Sequence, residues 1–421
     1  MTYTAPRGTR DILPAETPLW QFVEQKAREV FDRCNFQEIR TPLFEQTELF
    51  QRGIGENTDI IAKEMYTFQD RKGRSLTLRP EGTASVVRAY LESRGQESLA
   101  KLWYQGAMFR YERPQAGRQR QFHQIGCEVF GAAGAERDAE VIAAARQIFE
   151  TLGLQNLEVH INSVGCPVCR PRIKEKLKSF LGGNLTNLCG DCRARFEANP
   201  LRVLDCKNPQ CNEFLAGLPP LSDALCEDCR AHFQTVQDQL KALGLKFQVN
   251  PRLVRGLDYY TKTVFEVLSG SLGAQNAVCG GGRYDNLVQE LGGPATPAVG
   301  FAFGLERVVL IMQDQKIAVP ETRPYVFLLS LGKQAEQQTL VLTELLRRGG
   351  VPAEFDVSDR GLSAKLKTVN KFKAKYVYII GDNELSEKAG QLKDMQTGSQ
   401  EKVSFADLIK ISFERYTKER K

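Results

Sequence analysis

The chain has 421 residues, 42% hydrophobic and 26% charged, with a formal net charge of +6. That length exceeds one ordinary core and points to two or three domains. No apolar run reaches the ~18 residues of a membrane span, and the mild positive charge permits nucleic-acid binding without requiring it. The N-terminal MTYTAPRGTRDILPAE lacks the apolar stretch of a secretory signal. A reducing, cytoplasmic setting with no membrane partner is therefore expected, and the 11 cysteines need a role other than disulfides.

From Pro18 to Phe31, the spacing of Leu19, Phe22, Val23, Ala27, Val30 and Phe31 predicts an amphipathic helix, and Phe36 to Pro42 a short strand. Ser75 to Leu78 reads as extended. Pro80 and Gly82 break that run, and Thr83 stands where a helix N-cap belongs, leaving Glu81 and Thr83 on a strand-to-helix turn. From the residues alone, a plain helix cap at Thr83 with a solvated Glu81 is the preferred reading, and a ligand-gripping turn the alternative.

Leu102 to Gly131 reads as a β-hairpin around a basic, glycine-containing loop with Arg113, Arg118 and Arg120. Alternation puts Phe122, Gln124, Gly126 and Glu128 on one face of its second strand and His123, Ile125, Cys127 and Val129 on the other. Arg110 is then expected to meet Gln124 and Glu128 across the hairpin. Guanidinium groups suit phosphates and carboxylates, although a charged, solvated hairpin tip is the plain alternative. A helix over Glu136 to Leu152 and a half-buried strand at Leu157 to Ile161 complete this part.

Between Val164 and Leu245 four cysteine pairs appear: Cys166 with Cys169, Cys189 with Cys192, Cys206 with Cys211, and Cys226 with Cys229. Three are C-x2-C, and two such pairs complete a tetrahedral thiolate site, so structural zinc is expected, with redox or unpaired thiols as alternatives. Gly182, Gly183, Pro200, Pro209, Pro219 and Pro220 are expected to limit helical packing here. The catalytic candidates lie outside this segment, which predicts a metal remote from the chemistry.

Leu253 to Glu266, LVRGLDYYTKTVFE, leads into a strand and leaves Arg255, Asp258, Tyr259 and Tyr260 at its mouth, either around a planar polar ligand or as core packing. Gly280 to Gly282 permit close backbone approach ahead of Tyr284. A strand from Ala298 to Gly304 and a helix from Leu305 to Met312 follow, with Arg307 in the first turn, where a helix N-terminus disfavours a cation. After Pro320 and Pro324, strands at Tyr325 to Leu331 and Ala374 to Gly381 flank a helix at Gln334 to Arg348. A lysine cluster, Lys365 to Lys375, lies between, so residues 324–421 read as a small α/β domain.

FRYERPQAGRQRQFHQIGCEVFG resembles motif 2 of the class II aminoacyl-tRNA synthetases, in the form used by histidyl-tRNA synthetases. FQEIRTPLFEQTELF is similar to motif 1, GFAFGLERV to motif 3, RPEGT to the histidine-binding segment, and LVRGLDYYTKTVFE and CGGGRYD to the two histidine signatures. The resemblance implies an α+β class II fold, a mainly antiparallel sheet flanked by helices, with a C-terminal α/β anticodon-binding domain. The domains expected are 1–163 and 246–320 (catalytic), 164–245 (cysteine-rich insertion) and 324–421. The insertion resembles the family's in segments such as NPLRVLDCKNP, but cysteine pairs are not general in that family.

The resemblance further implies a homodimer that activates histidine with ATP and Mg2+, then passes it to histidine tRNA. Arg110 and Arg255 are the implied catalytic cations, and Arg110, Arg118 and Arg307 the ATP-binding ones. Histidine is implied to meet Glu81, Thr83, Gln124, Glu128, Arg255, Tyr259, Tyr260 and Tyr284, and tRNA to meet Gln115, Lys365 and Lys371. A non-catalytic regulatory paralogue is the rival. Such chains are expected to lose catalytic arginines or the terminal domain, and this one keeps both. A zinc-dependent nucleic-acid-binding module is a weaker third reading.

Overall fold

The computed structural model describes residues 3–55, 58–93, 99–115, 117–272, 276–320 and 323–420. It forms two compact units, Met1–Val319 and Pro320–Lys421. The first is built on an eight-stranded sheet whose middle six strands are antiparallel: Ala100–Phe109, Gln121–Phe130, Ala298–Gly304, Ala277–Arg283, Thr261–Ser269 and Leu157–Ser163. Two-residue strands, Gln37–Glu38 and Gln248–Val249, pair parallel at the edges.

The strand expected over Phe36 to Pro42 is shorter because Arg79 intervenes. Its Nη1 donates to Thr41 O at 3.1 Å and to Thr41 Oγ1 at 2.9 Å, drawing that backbone out of the ladder. The expected alternation in the second hairpin strand is present. Ile125, Cys127 and Val129 face a core formed with the helices Thr17–Arg33, Ala135–Thr151, Glu227–Ala242 and Leu305–Asp314. The opposite face carries Gln124, Gly126 and Glu128 toward the site.

The insertion is more helical than its glycines and prolines suggest, with helices of 14 residues at Cys169–Gly182 and 16 residues at Glu227–Ala242. Gly182 and Gly183 end the first of these helices, and the prolines fall between helices or in first turns, where proline's missing N–H leaves no helical bond unmade. Pro200 and Pro209 both occupy first turns. His232 of the last helix lies 2.7 Å from Asp138, which also pairs with the fully buried Arg283. That buried pair anchors the insertion's exit to the sheet.

The second unit has a five-stranded sheet ordered Ala353–Asp356, Val326–Ser330, Tyr376–Ile380, Ala389–Asp394, Gln400–Ser404. The first three strands run parallel and the last two are antiparallel. Lys365, expected at a tRNA surface, is 2% exposed, and its Nζ donates to Ser330 O at 2.6 Å and Asp356 O at 3.3 Å. It shares the inner face of its helix with Val369, four residues on, and is withdrawn as a tRNA ligand. Lys371 is exposed. Among the described residues no helix is long and apolar enough to cross a membrane.

Candidate active site

The turn at Pro80–Thr83 differs from expectation in one respect: Thr83 is the first helical residue, Gly82 stands at the cap, and Glu81 does the capping. Its carboxylate accepts from Thr83 N at 2.7 Å and Ala84 N at 2.8 Å. A carboxylate can satisfy two orphan helix amides where a hydroxyl satisfies one. Thr83 Oγ1 is thereby released to donate to Glu128 Oε1 at 2.7 Å. Burial raises the pKa of Glu81 while those amides pull against it.

Glu128 is the hub of a closed polar pocket. Besides Thr83 it accepts from Tyr104 Oη at 3.3 Å and from Tyr284 Oη. Burial pushes its pKa up to about 8, against the lowering effect of the three hydroxyls. Tyr259, Tyr260 and Tyr284 are all buried, so they form the interior wall and not the mouth predicted for the first two. The Tyr259 ring centroid is 4.7 Å from that of Tyr260 and 5.5 Å from that of Tyr284.

Glycines clear the room for this pocket. A Cβ on Gly300 would lie 1.8 Å from Glu128 Oε2, one on Gly82 2.2 Å from the Tyr104 ring, and one on Gly126 2.6 Å from the same ring. Tyr104 was missed from sequence. Its signal was a tyrosine paired directly with a glycine, Gly126, across the hairpin.

Four residues from Glu128 on the same strand face, Gln124 lines an open cavity of about 780 Å3. Arg110, Arg118, Arg255 and Arg307 line it too, with Glu64, Glu112 and Glu266. Arg110 does not make the predicted contacts with Gln124 and Glu128. It lies beyond the paired strand, where its Nε donates to Pro80 O at 2.8 Å and its guanidinium covers the Phe122 ring, 5.2 Å from the centroid. Arg118 pairs with Glu112 at 3.1 Å, and Arg307 donates to Ala277 O. Gln115 is exposed at the loop, bonded through its backbone to Arg118; its neighbour Ala116 lies outside the described residues.

Arg255 lies across the glycine strand. A Cβ on Gly280 would come within 2.2 Å of its guanidinium. Burial works against its charge, but Glu266 beside Nη1 holds its pKa above the ordinary value. Arg255 Nε and Gln124 Oε1 are both buried without a hydrogen-bond partner among the described residues. Unsatisfied groups of opposite polarity, one donor and one acceptor, fit a ligand that presents both. Glu266 was not singled out from sequence, because a lone acid on a half-buried strand has no local signature.

The eight paired cysteines converge into two tetrads, Cys166, Cys169, Cys226, Cys229 and Cys189, Cys192, Cys206, Cys211, with the ligand atoms of each within 4.8 Å of one another. The first pair thus joins the fourth and the second joins the third. Burial opposes ionisation of Cys169, but amides of Cys226 and Cys166 bring its thiol down to about 6; the Cys192 amide brings Cys189 to about 7. Burial and the crowding of sulfurs push up their neighbours Cys192, Cys211 and Cys229, and Cys226 rises too, although the Cys229 amide pulls against it. Four sulfurs this close form a donor set that suits a soft divalent metal. The expected distance from the chemistry fails for the second tetrad: Cys189 and Cys206 line the same cavity as Arg110 and Arg255. The helical insertion folds back over the sheet, which residue order alone does not reveal.

A family model described as Histidyl-tRNA synthetase matches residues 8–167 and 209–308, and one described as Anticodon binding domain matches 325–413. A "Histidine--tRNA ligase" of Desulforamulus reducens is 51% identical over 97% of this chain and 98% of its own length. One from Desulfitobacterium hafniense is 51% identical over 99% of both chains. Among solved structures, an apo histidyl-tRNA synthetase from S. aureus is 36% identical with a TM-score of 0.82, covering 98% of this chain and 100% of its own. These matches run the length of the sheet, the site and the terminal unit, and the chain belongs to the histidyl-tRNA synthetase family, class II enzymes that charge tRNA with histidine.

Proposed function

We propose that histidyl-adenylate forms where the cavity meets the Glu128 pocket. The chain is a histidine tRNA ligase by family, and class II synthetases use ATP with Mg2+. The observation that carries the site assignment is the gathering of Arg110, Arg255 and Arg307 around one cavity, lined also by Gln124, whose strand face carries a buried carboxylate ringed by hydroxyls.

Histidine's carboxylate attacks the α-phosphate and pyrophosphate leaves; the terminal ribose hydroxyl of tRNA then attacks the acyl carbon of the adenylate and AMP leaves. Neither step requires a protein nucleophile, because positioning and charge neutralisation supply most of the rate. Arg110 and Arg255 hold the carboxylate and α-phosphate, while Arg118 and Arg307 hold the rest of ATP. Glu64 and Glu112, which line the cavity, would offer oxygen ligands of the type magnesium takes, and the ion would screen the phosphates when bound. Glu81, Thr83 and Gln124 receive the ammonium end, and Glu128, Tyr259, Tyr260 and Tyr284 read the imidazole. Glu81 keeps a second lone-pair direction on each oxygen for that purpose.

Each cysteine tetrad holds one structural zinc ion. Residues 1–163 and 246–320 act as the catalytic domain, 164–245 as the insertion and 324–421 as the anticodon-binding domain, in the cytoplasm. Gln115 and Lys371 touch tRNA. The homodimer reading draws on motif 1, whose exposed Leu43 and Phe44 form with Phe68 an apolar patch suited to a subunit interface. Histidine-dependent exchange of pyrophosphate into ATP tests the function: its absence from folded protein with magnesium present overturns the assignment.

A further inference from the structure

Each tetrad has an arginine next to it that reaches from the insertion to a loop of the site. Arg170 directly follows Cys169. Its Nη2 donates to Asp258 O at 3.1 Å and also to Tyr260 O, the carbonyls on either side of Tyr259. Asn199 Nδ2 adds a bond to Asp258 Oδ1 at 2.8 Å. The root of the insertion grips the same turn, with Val164 N donating to Lys262 O at 2.8 Å and Lys262 N to Gly165 O at 2.9 Å.

Arg202 lies in the short turn Pro200–Asp205 that runs into Cys206. Its Nη2 is 2.8 Å from Asp59 Oδ2, and Arg195 approaches the same oxygen at 3.5 Å. Asp59 heads the turn Ile60–Glu64, and Glu64 O accepts from Tyr111 N at 2.7 Å, one residue past Arg110. Residues 168–208, which the family model does not match, contain Arg170, Arg195, Asn199 and Arg202 together with four of the eight tetrad cysteines. These contacts therefore belong to the part of the chain outside the shared pattern.

We infer that Arg170 and Arg202 are positioning residues, a two-point clamp by which the metal-held insertion sets the tyrosine turn and the Arg110 loop separately. The inference rests on the site and zinc assignments proposed above. One guanidinium nitrogen shared between two carbonyls draws both toward the same point and so fixes the direction of the backbone between them, and a thiolate-bound metal fixes the base of the helix that carries Arg170. Four unligated thiols make only weak hydrogen bonds and leave that base free to fray.

The test uses the full-length protein with its metal content measured, and follows pyrophosphate exchange together with hydrogen exchange. Arg170→Ala raises the KM for histidine roughly tenfold, the worth of one charge-assisted hydrogen bond, and leaves the KM for ATP unchanged. Arg170→Lys keeps the charge and one donor nitrogen and recovers part of this, short of the parent because a flexible ammonium stem lacks the fixed plane of the guanidinium. Asp59→Asn, which removes the charge shared by Arg202 and Arg195, shifts the KM for ATP or kcat and spares the KM for histidine. Amide exchange quickens at residues 256–262 in the first case and at 59–64 in the second, and chelation of the metal produces both patterns together. Equal changes in both KM values, or faster exchange spread over the whole unit, overturn the clamp. Protein purified without metal defeats the zinc assignment, and a parent without histidine-dependent exchange defeats the site assignment. Hydrogen exchange needs neither metal nor turnover, so in both cases the loop-specific pattern still decides whether the arginines hold the loops.

Discussion

The sheet face that forms the pocket and the insertion that overhangs it solve one problem in opposite ways. On the sheet, side chains are placed by taking atoms away. Gly82, Gly126, Gly280 and Gly300 leave volumes that Tyr104, Arg255 and Glu128 fill. In the insertion, position comes from adding contacts: two sulfur tetrads gather helix ends beside a small apolar core that includes Leu177, Leu181, Val203 and Leu215. A cleared site fails sharply when one methyl is added, whereas a tethered one loosens by degrees. The lesson is that the sheet should tolerate almost no substitution at its glycines, while the insertion should respond to metal supply.

The sharpest way to break this contrast is Gly280→Ala. A Cβ 2.2 Å from the Arg255 guanidinium must displace it, so pyrophosphate exchange should fall by about 10²- to 10³-fold, as it does when a transition-state donor is removed. Arg255→Ala should match that loss in protein that still folds, with a melting temperature lowered by the void and the unpaired Glu266. If Gly280→Ala retains near-parental exchange, clearance is not what places the arginine.

A smaller effect is expected from Cys206→Ser. On the proposed zinc assignment it should lower the zinc content from two ions per chain to one, measured by atomic emission, and lower the melting temperature, with histidine activation reduced less than by Gly280→Ala. Activity lost to the same extent would erase the distinction between the two regions.

Glu128 supplies a test by pH. Folded protein keeps its proton up to about 8, while the unfolded chain releases it near 4.5. Between those values the native state binds the extra proton, so this group's contribution to stability falls as pH rises and levels off above 8. Denaturant titrations of the parent and Glu128→Gln should therefore diverge across that window. Histidine's imidazole, with a pKa of about 6.5, pairs with the protonated acid between ~6.5 and 8, so the parent KM for histidine should be lowest there. A variant KM with the same alkaline rise would remove Glu128 from imidazole reading.

The mildest prediction concerns Lys365→Met. With its ammonium bound to Ser330 and Asp356 carbonyls, replacement should cost about 1–3 kcal/mol of stability and leave the salt dependence of tRNA binding unchanged. Lys371→Ala should do the reverse.

Much of the sheet was legible because strand alternation is a local rule: Ile125, Cys127 and Val129 could be assigned to one face before their neighbours were known. Cysteine spacing gave the thiolate groups, yet not which pairs join, since the answer depends on how two helices return. Lys365 was misread by charge although its spacing from Val369 already placed both on one face. Arg170, Arg202 and Glu266 carry no local pattern. Their partners lie 88, 143 and 11 residues away in sequence, and only the folded chain brings them together.

The arginine laid over Gly280 also bears on descent. Because the guanidinium occupies the space a side chain at 280 would need, neither position can drift first: filling the glycine evicts the cation, and losing the cation alone opens a void. A lineage that gave up adenylate chemistry would be released from both demands at once. A bulky residue at position 280 is therefore a marker, readable from a gene alone, that a chain of this fold has left the trade of charging tRNA.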